Sequence, residues 1–163
     1  MLPRSVETMA KTYKCAYAHC KHDTKDIDPE NGDFVQYSSR YWHEDCLRES
    51  LAIREIIDVF YTKINENVVM SQLRSVINNL VYNKKNDAEY ILYGLNYYID
   101  HGIPINYPQG LYYVAQSKEV QTEWNKLKNQ EKIKDYKFEV KEFEEKKFDY
   151  KPSKKGGFQN ILN

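Results

Sequence analysis

Two pairs of soft-metal donors stand near the start of the chain: Cys15 and Cys20 with four residues between them, then, after 22 more residues, His43 and Cys46 with two between. Zinc asks for four ligands in a tetrahedron, and thiolate sulfur with imidazole nitrogen suits its borderline-soft character. Two close pairs separated by a hairpin-sized insert meet that requirement. These are all three cysteines of the chain. An odd number crowded into the first 46 residues does not form a disulfide framework, so cytosolic metal-binding thiols are the expectation. The bland alternative is three packed free thiols with His43 capping a helix; packing alone, however, would not gather every cysteine into ligand-like pairs. His19 and His22 remain rival ligands to Cys20, since Cys15-x3-His19 is also an acceptable spacing. With four protein ligands no position is left for water, so the expected zinc is structural and the expected protein is not an enzyme. Other chemistry finds no support: the two-histidine metalloprotease motif, the deaminase signature, a phosphate-cradling glycine loop and a nucleophile elbow are all missing. His101 reads as a helix C-terminal residue favoured by the dipole rather than a catalytic base.

The stretch from Tyr13-Lys14-Cys15 to Tyr41-Trp42-His43-Glu44-Asp45-Cys46 resembles treble-clef fingers such as the first half of a LIM domain. An aromatic-His-x2-Cys segment leading into a helix carries the likeness. The order of parts, a finger, a small helical body and a charged tail, is also similar to zinc-finger proteins from phages of low-GC Gram-positive bacteria. The resemblance covers about a third of the chain and implies a structural zinc more than a role.

Positioning four ligands requires short strands and one helix. Asp28–Asp33, with its Asn31-Gly32 pair, is a turn signal, and Phe34–Tyr37 and Arg40–Trp42 read as strands flanking Ser38-Ser39. If the next helix starts near Glu44, Cys46 sits in its first turn, where the helix dipole favours a thiolate. Apolar residues at intervals of three and four predict helices over about 44–64, from Val69 to Val81, and from Ile91 to a C-cap at His101-Gly102. Pro108 is suited to open a fourth helix, with a break near Ser117. From Lys118 to Lys155 twelve lysines face nine acidic residues in interleaved order, which fits a solvated helix or a disordered arm. The fold class expected is mainly α: a lead-in over 1–12, a finger with short β-hairpins over 13–46, a helical bundle over 47–128, and a charged arm and tail over 129–163.

Charge is balanced, 24 Lys and Arg against 24 Asp and Glu in 163 residues, so no global field draws the molecule to nucleic acid or anionic lipid. Neither a bilayer-length apolar run nor a secretory signal is seen in this sequence, so the expected location is the cytoplasm, the host's if phage-encoded, and no membrane partner is expected. Locally, Lys14, Lys21, Lys25, Arg40 and Arg48 surround the ligands and alternate with Tyr13, Tyr17, Tyr41 and Trp42, a mixture able to hold phosphates and stack on bases. Aspartates and glutamates in the same unit argue for an ordinary mixed surface, and Tyr41 and Trp42 suit a miniature core. Ser71, Gln72, Arg74, Ser75, Asn78 and Asn79 would lie on the open face of a helix pair joined near Asn83–Asn86; they suit base edges or plain solvent. At the end of the chain Phe158, Ile161 and Leu162 follow a Gly156-Gly157 linker, as a tethered docking motif would. The expected function is a non-enzymatic accessory protein associated with DNA or RNA in phage or mobile-element replication or transcription. The alternative is an adaptor that binds a host or phage protein through its finger or tail. No small-molecule substrate is expected.

Overall fold

The computed structural model describes residues 12–27 and 34–147. Residues 1–11 of the lead-in, the Asn31-Gly32 turn and the tail with Phe158, Ile161 and Leu162 lie outside these residues. Contacts divide the chain into two compact units, one up to Gln121 and one from Thr122. The finger and the chain that follows it as far as Gln121 therefore belong to one unit.

Strands β1 (Tyr13–Lys14) and β2 (Asp26–Ile27) pair antiparallel, Tyr13 opposite Ile27. Strands β3 (Phe34–Tyr37) and β4 (Arg40–His43) form a second antiparallel hairpin, with Phe34 opposite His43 and Tyr37 opposite Arg40. Its loop is Ser38-Ser39, both residues at positive φ (51° and 60°). Two successive left-handed residues make the turn whose twist matches the strands it joins. The Ala16 N–H donates to the Tyr41 carbonyl at 2.9 Å, which draws the first hairpin's loop against the second.

Helix α1 (Glu44–Val59) starts directly after β4, as its spacing predicts, and ends in a π-helical turn over Phe60–Ile64, closed by the Asn65 N–H on the Phe60 carbonyl at 2.9 Å. Helix α2 (Met70–Asn78) ends the same way over Asn79–Asn83. Helix α3 (Ala88–Asp100) opens on Asp87, whose side chain accepts from the Glu89 N–H at 2.9 Å. Its C-terminus is the predicted glycine cap. Gly102, at φ +64°, donates to the Ile99 carbonyl, and Ile103 to the Tyr98 carbonyl, the paired bonds of a Schellman ending. Here His101 donates its Nδ1–H to the Tyr97 carbonyl at 2.8 Å and stacks on the Tyr97 ring, a capping role.

Helix α4 (Gly110–Gln116) follows the buried Pro108, and Ser117 separates it from α5 (Lys118–Lys147). The segment beyond Lys118, open to either reading from its charge pattern, is thus helical to Lys147. In the first unit the core consists of fully buried Ile56, Phe60, Leu73, Ile91, Leu95 and Leu111 with their neighbours. Gly94 allows α3 close access: a Cβ there would meet Val114 Cγ1 at 2.5 Å and Val120 Cγ1 at 3.0 Å. In the second unit, Lys126 pairs with Glu123 at 2.7 Å, and Lys128 lies over the Trp124 ring. Among the described residues no helix is long and apolar enough to cross a membrane.

Candidate metal centre

Each donor is delivered by a different piece of local structure. Cys15 follows β1 and is fixed by its N–H on the Lys25 carbonyl at 2.7 Å, which closes a tight loop that contains Cys20. His43 is the last residue of β4, and Cys46 lies in the first turn of α1. The four ligand atoms come together, all within 4.8 Å of one another. Cys20 Sγ lies 3.4 Å from His43 Nδ1 and 3.7 Å from Cys46 Sγ, and Cys46 Sγ lies 3.9 Å from His43 Nδ1. Such a group can hold a metal ion.

His43 does not cap α1; it occupies the cap position without a side-chain bond to the helix, and Asp45 accepts the Cys46 N–H instead, at 2.9 Å. Of the rival ligands, His19 stacks on Tyr82 with centroids 3.8 Å apart, away from the cluster. His22 stacks on the His43 ring at 3.8 Å and sets its Nε2 at 3.0 Å from both Asp45 carboxylate oxygens. The fourth place in the cluster therefore belongs to Cys20.

Burial shapes the donors' protonation. It pushes the Cys46 thiol far above its ordinary value, helped by the hydrogen bond to Cys20 and the nearby Cys15 and Asp45. His43 is pushed down by burial and by the neighbouring His22, which favours the neutral imidazole a metal requires. Around the ligands packs a small core of Cys15, Tyr17, Ile27, Trp42, Cys46 and Leu47. Trp42 is buried, with its Nε1–H on the Tyr37 carbonyl at 3.2 Å, and Tyr41 stacks on Tyr13. The aromatic pair thus serves the miniature core that the sequence offered as the alternative to a stacking platform.

Tyr17 was legible only as one more aromatic near the ligands, yet it is the junction between the hairpins and the helices. Its hydroxyl donates to Glu49 Oε1 at 2.9 Å and accepts from the Tyr82 hydroxyl at 2.8 Å. No spacing rule links residues 17, 49 and 82. Burial, with the bond donated to Glu49 and the charge of that carboxylate, raises the Tyr17 phenol far above its usual range, so it stays protonated.

Of the five basic residues near the ligands, two are held by carboxylates. Lys21 donates to Glu49 Oε2 at 2.6 Å, which raises its pKa, and Arg48 is held by Glu89 at 3.0 and 3.1 Å, with the same effect. Both line a cleft of about 260 Å³ beside Tyr17, Asp45, Glu49 and Glu89. Lys14, Lys25 and Arg40 are exposed on the hairpins, Lys25 with a bond to the Ala18 carbonyl. On α2, Ser71, Gln72, Arg74, Ser75 and Asn78 face solvent, and Asn79, the first residue of the π-helical turn, is half-buried. The chain matches no protein-family model, no curated protein and no solved structure.

Proposed function

We propose that Cys15, Cys20, His43 and Cys46 hold one structural zinc ion in a treble-clef-like finger, and that the chain is a non-enzymatic adaptor whose partner is a host or phage protein. The donor spacing supports the metal. A tetrahedron with bonds of about 2.3 Å to sulfur and about 2.0 Å to nitrogen has edges of about 3.8 Å between sulfurs and about 3.5 Å between sulfur and nitrogen. The separations of 3.7, 3.4 and 3.9 Å lie within about 0.4 Å of those edges. Four protein donors fill the shell, which supports a structural ion over a catalytic one.

The observation that carries the adaptor reading is the fate of Lys21 and Arg48. Carboxylates hold both, and a phosphate would have to displace Glu49 and Glu89 to reach them. What remains is a mixed surface, suited to protein contacts. Exposed tyrosines on the helical part of the first unit, Tyr107 and Tyr113 at 71% and 73%, support the same reading. The reading is tested by recovery of a partner from the native host after nuclease treatment. The same protein should be retained by wild type and lost with Cys46→Ser or with deletion of Phe158 to Asn163; a partner that is recovered only when the nuclease is left out overturns the adaptor.

Lys14, Lys25 and Arg40, with Tyr13 and Tyr37 exposed at 37% and 41%, support a second reading in which the hairpins bind DNA or RNA. Affinity would then fall steeply as salt rises. Absence of binding at low salt removes this reading.

A further inference from the structure

His22 takes no part in the four-donor cluster, yet it is not a bystander. Its Nε2 stands equidistant, at 3.0 Å, from both oxygens of Asp45, and the three donors of His22, Asp45 and Cys46 lie within 4.8 Å of one another. Cys46 Sγ is common to both groups, and a thiolate has lone pairs enough to bridge two cations. The His22 and Asp45 side chains are open to water, 42% and 64% exposed, whereas Cys46 is buried. Cys20 and His22 come from the same loop, and the His22 ring lies flat on His43. The second donor group thus forms an outer face on the first.

Resting on the zinc reading above, we propose that His22, Asp45 and Cys46 form a second, outer site for a zinc-class divalent cation, sharing the Cys46 sulfur with the inner site. The mixture of nitrogen, oxygen and sulfur selects borderline metals over magnesium or calcium. With bonds of about 2.1 Å, nitrogen and oxygen on a tetrahedral ion stand about 3.4 Å apart. The His22–Asp45 pair needs to open by only a few tenths of an ångström, which two exposed side chains allow. The metal replaces the proton between them, with the imidazole proton carried on Nδ1. Three protein donors leave a position for water, so the outer ion exchanges readily while the inner one, fully enclosed by ligands, does not.

The test uses the full chain carrying one zinc, with cobalt(II) as the probe. Wild type should take up one further ion per chain, with a sulfur-to-cobalt charge-transfer band and with its zinc content unchanged. His22→Ala and Asp45→Asn should each weaken that uptake by about tenfold or more, while zinc content and circular dichroism stay as in wild type. The inference is overturned by the absence of a second ion, by cobalt bound without the sulfur band, by zinc released in step with cobalt uptake, or by both variants retaining the second ion. A purified chain with no zinc at all would sink the inner-site reading instead, so the two failures are distinct.

Discussion

At Cys46 the chemistry and the packing make opposite demands: burial resists ionisation of the thiol, and metal binding requires it. A bound cation would resolve the conflict by replacing the proton, so loading would release protons and removal of one donor would be felt by all. Cys46→Ser is expected to lower zinc from one per chain to none, read by elemental analysis of the purified protein; unchanged metal content would refute the assignment. A different residue tests packing alone. Tyr90 is buried and donates to the Ala115 carbonyl at 3.3 Å, and burial raises its pKa, with Tyr98 adding to it. A phenol whose folded pKa is raised holds its proton more tightly in the folded state. Its contribution is complete below the unfolded value of about 10 and is lost as pH rises above that, at up to about 1.4 kcal/mol per pH unit. Denaturant unfolding between neutral and strongly alkaline pH should therefore show a shallower alkaline fall for Tyr90→Phe than for wild type.

Among the elements, the β3–β4 hairpin and α3 each depend on a local backbone feature. Ser38 and Ser39 both hold a left-handed conformation that serine adopts at a cost. Replacing them with Asn-Gly, the pair best suited to this turn, should stabilise the first unit by about 1 kcal/mol; a lower melting temperature would contradict the turn assignment. Gly94 shows the opposite logic. Alanine would gain about 1 kcal/mol in helix propensity. Its methyl would strike Val114 and Val120, and overpacking of this kind costs about 1–3 kcal/mol. Gly94→Ala should thus fail to stabilise α3 and should lower the unfolding midpoint, whereas an uncrowded helical glycine would do the reverse.

Across the first unit, the hairpins and the helical body share parts. Helix α1 carries Cys46 at one end and the buried Ile56 further along, and Tyr82 from the π-helical turn after α2 packs on the core around the ligands. Tyr17, Tyr82 and Glu49 close the junction, with Lys21 bound to Glu49 as well. Arg48 to Glu89 ties α1 to α3, though so exposed a pair adds under about 1 kcal/mol. Because of these joins, loss of metal should weaken the whole first unit rather than only residues 13–46. Chelation is expected to lower its thermal midpoint in a single transition. Tyr82→Phe, which removes one buried bond, should cost about 1 kcal/mol on its own; two separated transitions in the metal-free protein would show an independent finger.

Short-range pattern alone determined much of this protein. The pairing of Cys15-x4-Cys20 with His43-x2-Cys46, the helix that begins at Glu44, the apolar stripes of α1 to α3 and the Gly102 ending were all legible, because ligand spacing, helical period and capping are properties of neighbours in the chain. The choice of Cys20 over His19 and His22 was not. Three donors within four residues are equivalent by spacing, and only the closure of the loop on Lys25, the stack of His19 on Tyr82 and the pairing of His22 with Asp45 separate them. The neutralisation of Lys21 and Arg48 was equally hidden, since their partners at 49 and 89 come from α1 and α3. So was the junction at Tyr17, whose partners lie 32 and 65 residues away. Hydrogen bonds and ion pairs between distant segments exist only once the hydrophobic core has set the helices side by side, and that is where tertiary structure decided the site's surroundings.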